Sequence, residues 1–186
     1  MDCIALFRQK HPHVKYELYS GNTHNIKENI ERGLIDIGLI SQPVDLSKFE
    51  IVTMPIEENW GVFVKNDSFL TKKSYIEPQD LCSLSIITSS GDYQSIMFKE
   101  WFGQYENQVN IVARGNLMYN ASMFVRSNET VLLGICLNYD YKNLTFIPLK
   151  PTLKQKTALT WKKEQFFSPA TTAFIKFVKD YFKNDR

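Results

Sequence analysis

The chain has 186 residues, and 22 lysines and arginines face 20 aspartates and glutamates, which gives a formal net charge of +2. This length fits one domain or two small lobes, and it is long enough to fold without a disulfide or metal staple. Apolar residues make up 44% and charged residues 23%, a composition that excludes a disordered or fibrous chain. The near-neutral balance argues against nucleic acid or an anionic membrane as the main partner.

The cysteines and the N-terminus indicate the compartment. Cys3, Cys82 and Cys136 show no C-x-x-C spacing, which is typical of reduced thiols in a cytosolic protein. The N-terminus has no basic and apolar leader, and the apolar run at 131–137 is too short to cross a bilayer. We therefore expect a soluble, cytoplasmic protein with no membrane partner, and with no metal or cofactor.

The first 43 residues predict helix, strand, helix, strand. Residues 4–10 form an apolar-to-basic helix that ends before Pro12, and residues 14–19 alternate polar and apolar as a half-buried strand does. A short helix carrying Ile26 and Ile30 follows, and Gly33 can close it. The apolar run at 35–40 is the next strand. Two strands joined by a helix predict a parallel pair with a right-handed crossover.

The rest of the chain continues the alternation of strands and helices. Glu57-Glu58-Asn59 separates two strand candidates, at 49–56 and 60–65. A helix carries Tyr93, Met97 and Trp101 on one stripe, typical of a core face or a dimer face. The remaining predicted elements are a short helix from Pro78 to about 84, strands at 86–88, 109–114, 131–137, 146–149 and 157–161, a helix at 121–126, and a last helix that Ser168 caps with Pro169 at its first position. The fold class is α/β.

Polar residues follow several of these strands. In α/β sheets, ligands bind beyond the carboxyl ends of parallel strands, where helix N-termini supply unpaired N–H groups. Hydroxyl and amide side chains there suit a small anion, although the same residue types also serve as helix caps and turn formers. The candidate ligand-binding residues are Ser20, Asn22, Thr23, Ser41, Thr88, Ser89, Ser90 and Asn120. Arg114 is either a counter-ion for a carboxylate or a surface residue.

Several motifs together resemble the effector-binding domain of LysR-type transcriptional regulators. The opening match comprises Phe7-Arg8, His11-Pro12-His13-Val14, Leu18, Gly21 and the run Gly-Leu-Ile-Asp-Ile-Gly-Leu-Ile at 33–40. Later matches are Asp80-Leu81 with the apolar run at 84–87, the segment at 133–137, and Thr160-Trp161 followed by Phe167-Ser168-Pro169. The match covers essentially the whole chain in order, although Asn138-Tyr139 stands where the family usually has proline.

The resemblance implies a two-lobed, periplasmic-binding-protein-like fold of type 2. Each lobe would be a mixed sheet flanked by helices, with two crossover segments. Lobe I would comprise residues 1–58 and 139–186, and lobe II residues 59–138. The family's effector contacts match Asn22-Thr23, Ser41 and the loop from Thr88 to Ser90, in a cleft between lobes.

The resemblance also implies partners. The family forms homodimers or tetramers, and here the helix at 4–10 would pack on the helix at 94–102 of a partner. DNA would be bound only through a separate N-terminal winged helix-turn-helix, which has no counterpart in this sequence. The family's first effector-domain strand also has no counterpart, so an unpaired gap is expected in the sheet.

These observations predict a non-enzymatic sensing domain that binds a small anionic metabolite and controls how the full-length regulator binds DNA. One alternative is a free solute-binding protein of the same fold that serves transport. A small enzyme on this scaffold has little support, because the sequence has no Gly-x-Ser-x-Gly elbow and no glycine-rich phosphate loop. His24 is the one histidine near a candidate loop, and Asp36 is interpreted as structural.

Overall fold

The computed structural model describes residues 2–42, 47–89, 92–127, 130–137 and 140–183. Its helices are α1 (Asp2–Lys10), α2 (Thr23–Glu31), α3 (Asp92–Phe102), α4 (Met118–Ser127) and α5 (Pro169–Lys183). Its strands are β1 (Gly38–Gln42), β2 (Phe49–Lys65), β3 (Ser85–Ser89), β4 (Asn110–Gly115), β5 (Val131–Ile135), β6 (Leu144–Pro148) and β7 (Lys154–Lys162). Short 3-10 turns cover Phe69–Lys72, Pro78–Leu81 and Gly103–Gln108. The expected α/β class is confirmed.

The chain divides into two compact units. Unit 1 comprises Met1–Ile56 and Lys156–Arg186, and unit 2 comprises Glu57–Gln155. The lobe boundary expected at 138/139 differs from the unit boundary at 155/156. The segment between these two boundaries lies in unit 2 because β6 pairs there with β2, Gly61 opposite Pro148 and Lys65 opposite Leu144.

In unit 1 the strand order is β1-β7-β2, and β1 runs antiparallel to β7. Helix α2 packs on β1, where Ile26 and Ile30 form a core with Ile40 and Phe49. A second apolar contact joins α1 to α5, because the fully buried ring of Phe7 packs edge-on against Phe174, with centroids 5.1 Å apart. Two amphipathic contacts of this kind bury the apolar faces that the helical spacing predicts.

In unit 2, β2 lies between β5 and β6, and β3 and β4 follow β5. Strand β3 runs parallel to both β4 and β5, whereas β2 is antiparallel to β5 and β6. The carboxyl ends of β3, β4 and β5 therefore meet at one edge. One face of the sheet packs against Met97, Phe98 and Phe102 of α3, and the other against Ala121 and Val125 of α4. The predicted stripe on α3 is core at Met97 and partly buried against the same cluster at Trp101, and the side chain of Tyr93 lies outside the described part of the structure.

The strand expected at residues 14–19 is wrong. This segment has no regular secondary structure, and Leu18 is 77% exposed. Alternation alone cannot make a strand, since a strand exists only where a neighbour accepts and donates its backbone hydrogen bonds. Among the residues that the structure describes, no strand pairs with this segment, and β1 pairs only with β7.

The break expected at Glu57-Glu58-Asn59 is also wrong, because β2 is one uninterrupted strand of 17 residues that includes these three. Charged residues lower strand propensity, but tertiary context overrides so weak a preference. Here the Glu57 carboxylate accepts a hydrogen bond of 2.9 Å from the Lys154 ammonium of β7.

The strand expected at residues 35–40 starts later in the structure, since β1 begins at Gly38. Within the described ranges, no helix is long and apolar enough to cross a membrane.

Candidate functional site

In unit 1, the candidate residues meet where β1 ends and α2 begins. Asn22 caps α2, and its side-chain oxygen accepts a hydrogen bond of 2.9 Å from the Asn25 backbone N–H. Thr23, the first helical residue, accepts a hydrogen bond of 3.1 Å through its hydroxyl oxygen from the Ser41 backbone N–H. The structure thus brings Asn22, Thr23 and Ser41 together at one helix N-terminus, where the dipole and the first-turn N–H groups favour an anion.

Glycine at position 38 allows α2 to lie this close to β1. A Cβ atom there would stand 2.2 Å from Cγ2 of Ile26 and 2.9 Å from Cδ1 of Ile30. The helix also ends as its sequence predicts, because Gly33 has φ of +71° and follows the C-cap Arg32. The isoleucine spacing, the cap and these two glycines therefore set the position of the α2 N-terminus.

In unit 2, Thr88 and Ser89 end β3. Thr88 is fully buried, and its hydroxyl donates a hydrogen bond of 3.1 Å to the Leu133 carbonyl of β5. Ser89 lies opposite Gly115 of β4, at the edge where the parallel strands end. Its hydroxyl oxygen is buried and has no hydrogen-bond partner within the described residues. Thr88 therefore ties strands together, whereas Ser89 has hydrogen-bonding capacity left over.

The other candidates are scattered. Ser20 is exposed on the irregular segment before α2, and Ser90 lies outside the described residues. Asn120 is exposed on α4 and lines a groove with Lys65 and Arg126. Arg114 is exposed and lies opposite Thr88 in the β3–β4 ladder.

Sequence reasoning missed the groove residues. Lys65 ends β2, whereas Asn66, Asp67 and Asn143 come from turns far apart in the sequence. These residues join α4 in one groove of about 830 Å³. The only local signal was the turn-forming character of Asn143, which has φ of +67°. No spacing rule predicts that such turns lie beside a given helix face.

Asp36 and His24 are the two residues that bear on the small-enzyme alternative. In the part of the chain that the structure describes, no three His, Cys, Asp or Glu side chains cluster as metal ligands would. The Asp36 carboxylate accepts a hydrogen bond of 3.3 Å from the Thr171 hydroxyl at the start of α5. This contact agrees with the structural interpretation of Asp36. His24 is exposed on the first turn of α2.

Two pKa shifts are resolved among the described residues, and both lie outside these clusters. Burial is the main cause that raises the pKa of the Tyr16 hydroxyl. The hydrogen bond that the Lys73 ammonium donates to the Asp80 carboxylate, 2.6 Å long, raises the pKa of Lys73. Asp80 also accepts from the Glu77 backbone N–H at the start of a 3-10 turn, so this ion pair secures a turn.

Comparison with known proteins matches this architecture to one family. The sequence profile of the LysR substrate binding domain matches residues 1–183. The Hca operon transcriptional activator HcaR of Escherichia coli K12 is 25% identical over 183 residues, a match that covers 95% of this chain and 61% of HcaR. The chain spans about three fifths of the length of the first curated relatives it matches.

Solved structures show the same fold. The effector binding domain of QuiR in complex with shikimate superposes with a TM-score of 0.82 at 18% identity, covering 98% of this chain and 90% of that one. The regulatory domain of CcmR from Synechocystis PCC6803 in complex with 2-PG superposes with a TM-score of 0.79 at 15% identity, with coverages of 98% and 90%. These are periplasmic-binding-protein-like effector domains of LysR-type regulators. The chain therefore belongs to the LysR substrate-binding domain family of transcriptional regulators.

Proposed function

We propose that this chain is the effector-sensing domain of a LysR-type transcriptional regulator, and that its effector is a small anionic metabolite. The observation that carries the proposal is the α2 N-terminus, where the Asn22 cap and the Thr23–Ser41 hydrogen bond hold the first-turn N–H groups in place. Aligned N–H groups at a helix N-terminus favour a carboxylate or phosphate. The domain acts without catalysis.

In unit 2, the Ser89 hydroxyl, which has no hydrogen-bond partner within the described residues, is a candidate ligand contact in its own right. A buried oxygen without a partner costs free energy, and a ligand or an ordered water offsets that cost. The complexes of related domains with shikimate and 2-PG agree with a small-molecule effector, and shikimate carries a carboxylate at neutral pH.

The effector acts by population shift. A ligand changes a conformational equilibrium only by its difference in affinity for the two states. In the full-length, cytoplasmic regulator, that shift changes the geometry of a homodimer or tetramer, and hence the DNA binding of a separate N-terminal domain.

A negative charge added at the N-cap of α2 tests the site. Asn22→Asp keeps an oxygen that caps α2 but adds a negative charge beside the proposed anion, so folding is retained while carboxylate binding falls. The measurement is a thermal-shift screen of small organic acids, with shikimate and its neutral methyl ester as a matched pair. We expect stabilisation by some acids, and a loss of about tenfold or more in affinity in Asn22→Asp, since two like charges about 4 Å apart repel by about 1 kcal/mol in bulk water and about 4 kcal/mol at the effective dielectric near a protein surface.

Two controls separate the site from general effects. Gln9→Glu adds the same charge at an exposed position on α1, and Ser85→Ala removes a hydroxyl from the opposite end of the strand that Ser89 ends. Both should leave binding unchanged, while Ser89→Ala weakens it. Stabilisation by neutral analogues alone, or an equal loss in Asn22→Asp and Gln9→Glu, would contradict the proposal.

A further inference from the structure

A second place in unit 2 has the composition of a ligand site. The groove of about 830 Å³ lies along the outer face of α4 and is walled on its other side by the turn after β2 and the turn before β6. Asn120, Met123 and Phe124 of α4 line it, and their spacing of three and four residues puts them on one helix face. The same face thus offers one carboxamide and two apolar side chains.

The opposite wall is held by hydrogen bonds. The Asn66 backbone N–H donates to the Asn143 carbonyl over 3.2 Å, and the Thr145 hydroxyl donates to the Asn66 side-chain oxygen over 2.9 Å. These contacts join the two turns. Because the Asn66 side-chain oxygen accepts the hydrogen bond from Thr145, the NH₂ group is the part of this carboxamide that can donate to a ligand. A wall fixed in this way costs little conformational entropy when a ligand binds.

The charges of the groove favour an anion. Lys65 and Arg126 both line it, and neither forms an ion pair within residues 2–42, 47–89, 92–127, 130–137 and 140–183. The Arg126 guanidinium instead contacts the Met123 sulfur at 3.2 Å. Asp67 is the one carboxylate among the described lining residues. Two cations against one carboxylate favour a ligand with a single negative charge.

A buried hydroxyl just before the strand that pairs with β2 also has hydrogen-bonding capacity left over. Thr130 precedes β5, and its side-chain oxygen is buried with no hydrogen-bond partner in the described part of the chain. Phe63 pairs with Leu132, so the same antiparallel register continued by two residues sets Thr130 opposite Lys65. Alternation along the strand puts Thr130 on the face of Leu132, which is the face that α4 covers.

We propose that this groove is a second ligand site, which binds a small organic monocarboxylate that has an apolar ring or chain. The carboxylate pairs with Lys65 and Arg126, carboxamides of the groove donate hydrogen bonds to it, and the apolar part packs on Met123 and Phe124. The site is separate from the proposed effector site, since none of its charged residues lies at the carboxyl edge of β3 or at the α2 N-terminus.

The experiment is an NMR titration of the ¹⁵N-labelled chain with benzoate, and with benzamide as its neutral counterpart. We expect benzoate to shift the side-chain NH₂ signals of Asn66, Asn120 and Asn143 in a saturable way. Lys65→Met and Arg126→Met should each weaken benzoate binding by roughly three- to fivefold, the size expected for one partly exposed ion pair. Lys65→Arg should retain binding.

Lys72→Met is the matched control, because Lys72 is an exposed lysine in the same unit but outside the groove. It should leave benzoate binding unchanged. Equal binding of benzamide, or no effect of Lys65→Met and Arg126→Met, would overturn the proposal. Benzoate shifts confined to residues 22–25 and 89 would also overturn it, and would assign benzoate to the proposed effector site instead. A response to shikimate that Asn22→Asp abolishes and Lys65→Met leaves intact would show that the two sites are independent.

Discussion

Asp36 shows how one side chain can have two readings in a sequence. A carboxylate inside an apolar run is a candidate acid, but here it lies just before β1 and accepts a hydrogen bond from Thr171. The Thr171 backbone N–H in turn donates to the Ser168 hydroxyl over 3.1 Å, which makes Ser168 the N-cap that the Ser168-Pro169 pair predicts. Asp36 therefore places negative charge at the N-terminus of α5, where the helix dipole favours it.

Asp36→Ala should lower the free energy of unfolding by about 1–2 kcal/mol, since it removes a hydrogen bond and a favourable charge at a helix N-terminus. Urea denaturation monitored by circular dichroism measures the change. Asp180→Ala is the control, because Asp180 is exposed near the other end of the same helix. An equal loss in the two variants would show that Asp36 has no special role.

The helices illustrate what local sequence can determine. The start of α5, the end of α1 before Pro12 and the end of α2 at Gly33 all agree with capping and breaking rules, because those rules depend on near neighbours. The segment at 14–19 fails for the opposite reason, since its hydrogen bonds require another strand. The role of Gly61 and Gly134 also depends on contacts between segments, since the two glycines lie opposite each other in β2 and β5.

Alanine in place of each glycine of the sheet should lower the stability of the protein by an amount that depends on how closely that glycine is packed. A Cβ at Gly38 meets two side chains of α2, and one at Gly61 stands 2.3 Å from the Phe146 ring and 2.5 Å from the Ile147 carbonyl. We expect losses of about 1–3 kcal/mol at both positions, and the larger loss at Gly61, where backbone blocks relief. Gly115→Ala is the control, since its nearest contact is 3.7 Å. Thermal unfolding measures all three, and similar losses at Gly38 and Gly115 would contradict the packing argument.

At the scale of the whole molecule, apolar side chains remain exposed on the two helices that the family resemblance assigns to the dimer. Leu6 of α1 is 38% exposed and Ile96 of α3 is 56% exposed, whereas Met97, Phe98 and Phe102 of α3 are core. Apolar surface of this kind is stabilised when a partner covers it. Each helix belongs to a different unit, so one interface would join unit 1 of one copy to unit 2 of another.

Light scattering should find the chain as a dimer or a larger oligomer, and Leu6→Glu and Ile96→Glu should each shift it toward monomer by placing a charge in an apolar contact. Leu34→Glu is the control, because Leu34 is 69% exposed but lies on neither helix. A monomeric parent chain, or an equal effect of Leu34→Glu, would contradict the assignment.

The sequence by itself determined the α/β class, the family, most helices and strands, and the residues that gather at the α2 N-terminus. These depend on periodicity, capping and motif order, which act over a few residues or are read along the chain. Only the tertiary structure decided that residues 14–19 have no strand partner among the described residues, and that β2 runs unbroken through Glu57. It also decided that the Thr88 hydroxyl bonds to the Leu133 carbonyl, whereas the Ser89 hydroxyl has no partner in the described part of the chain. It also brought Lys65 and Arg126 into one groove. Strand pairing, burial and the convergence of distant turns are properties of contacts between segments, and no local pattern contains them.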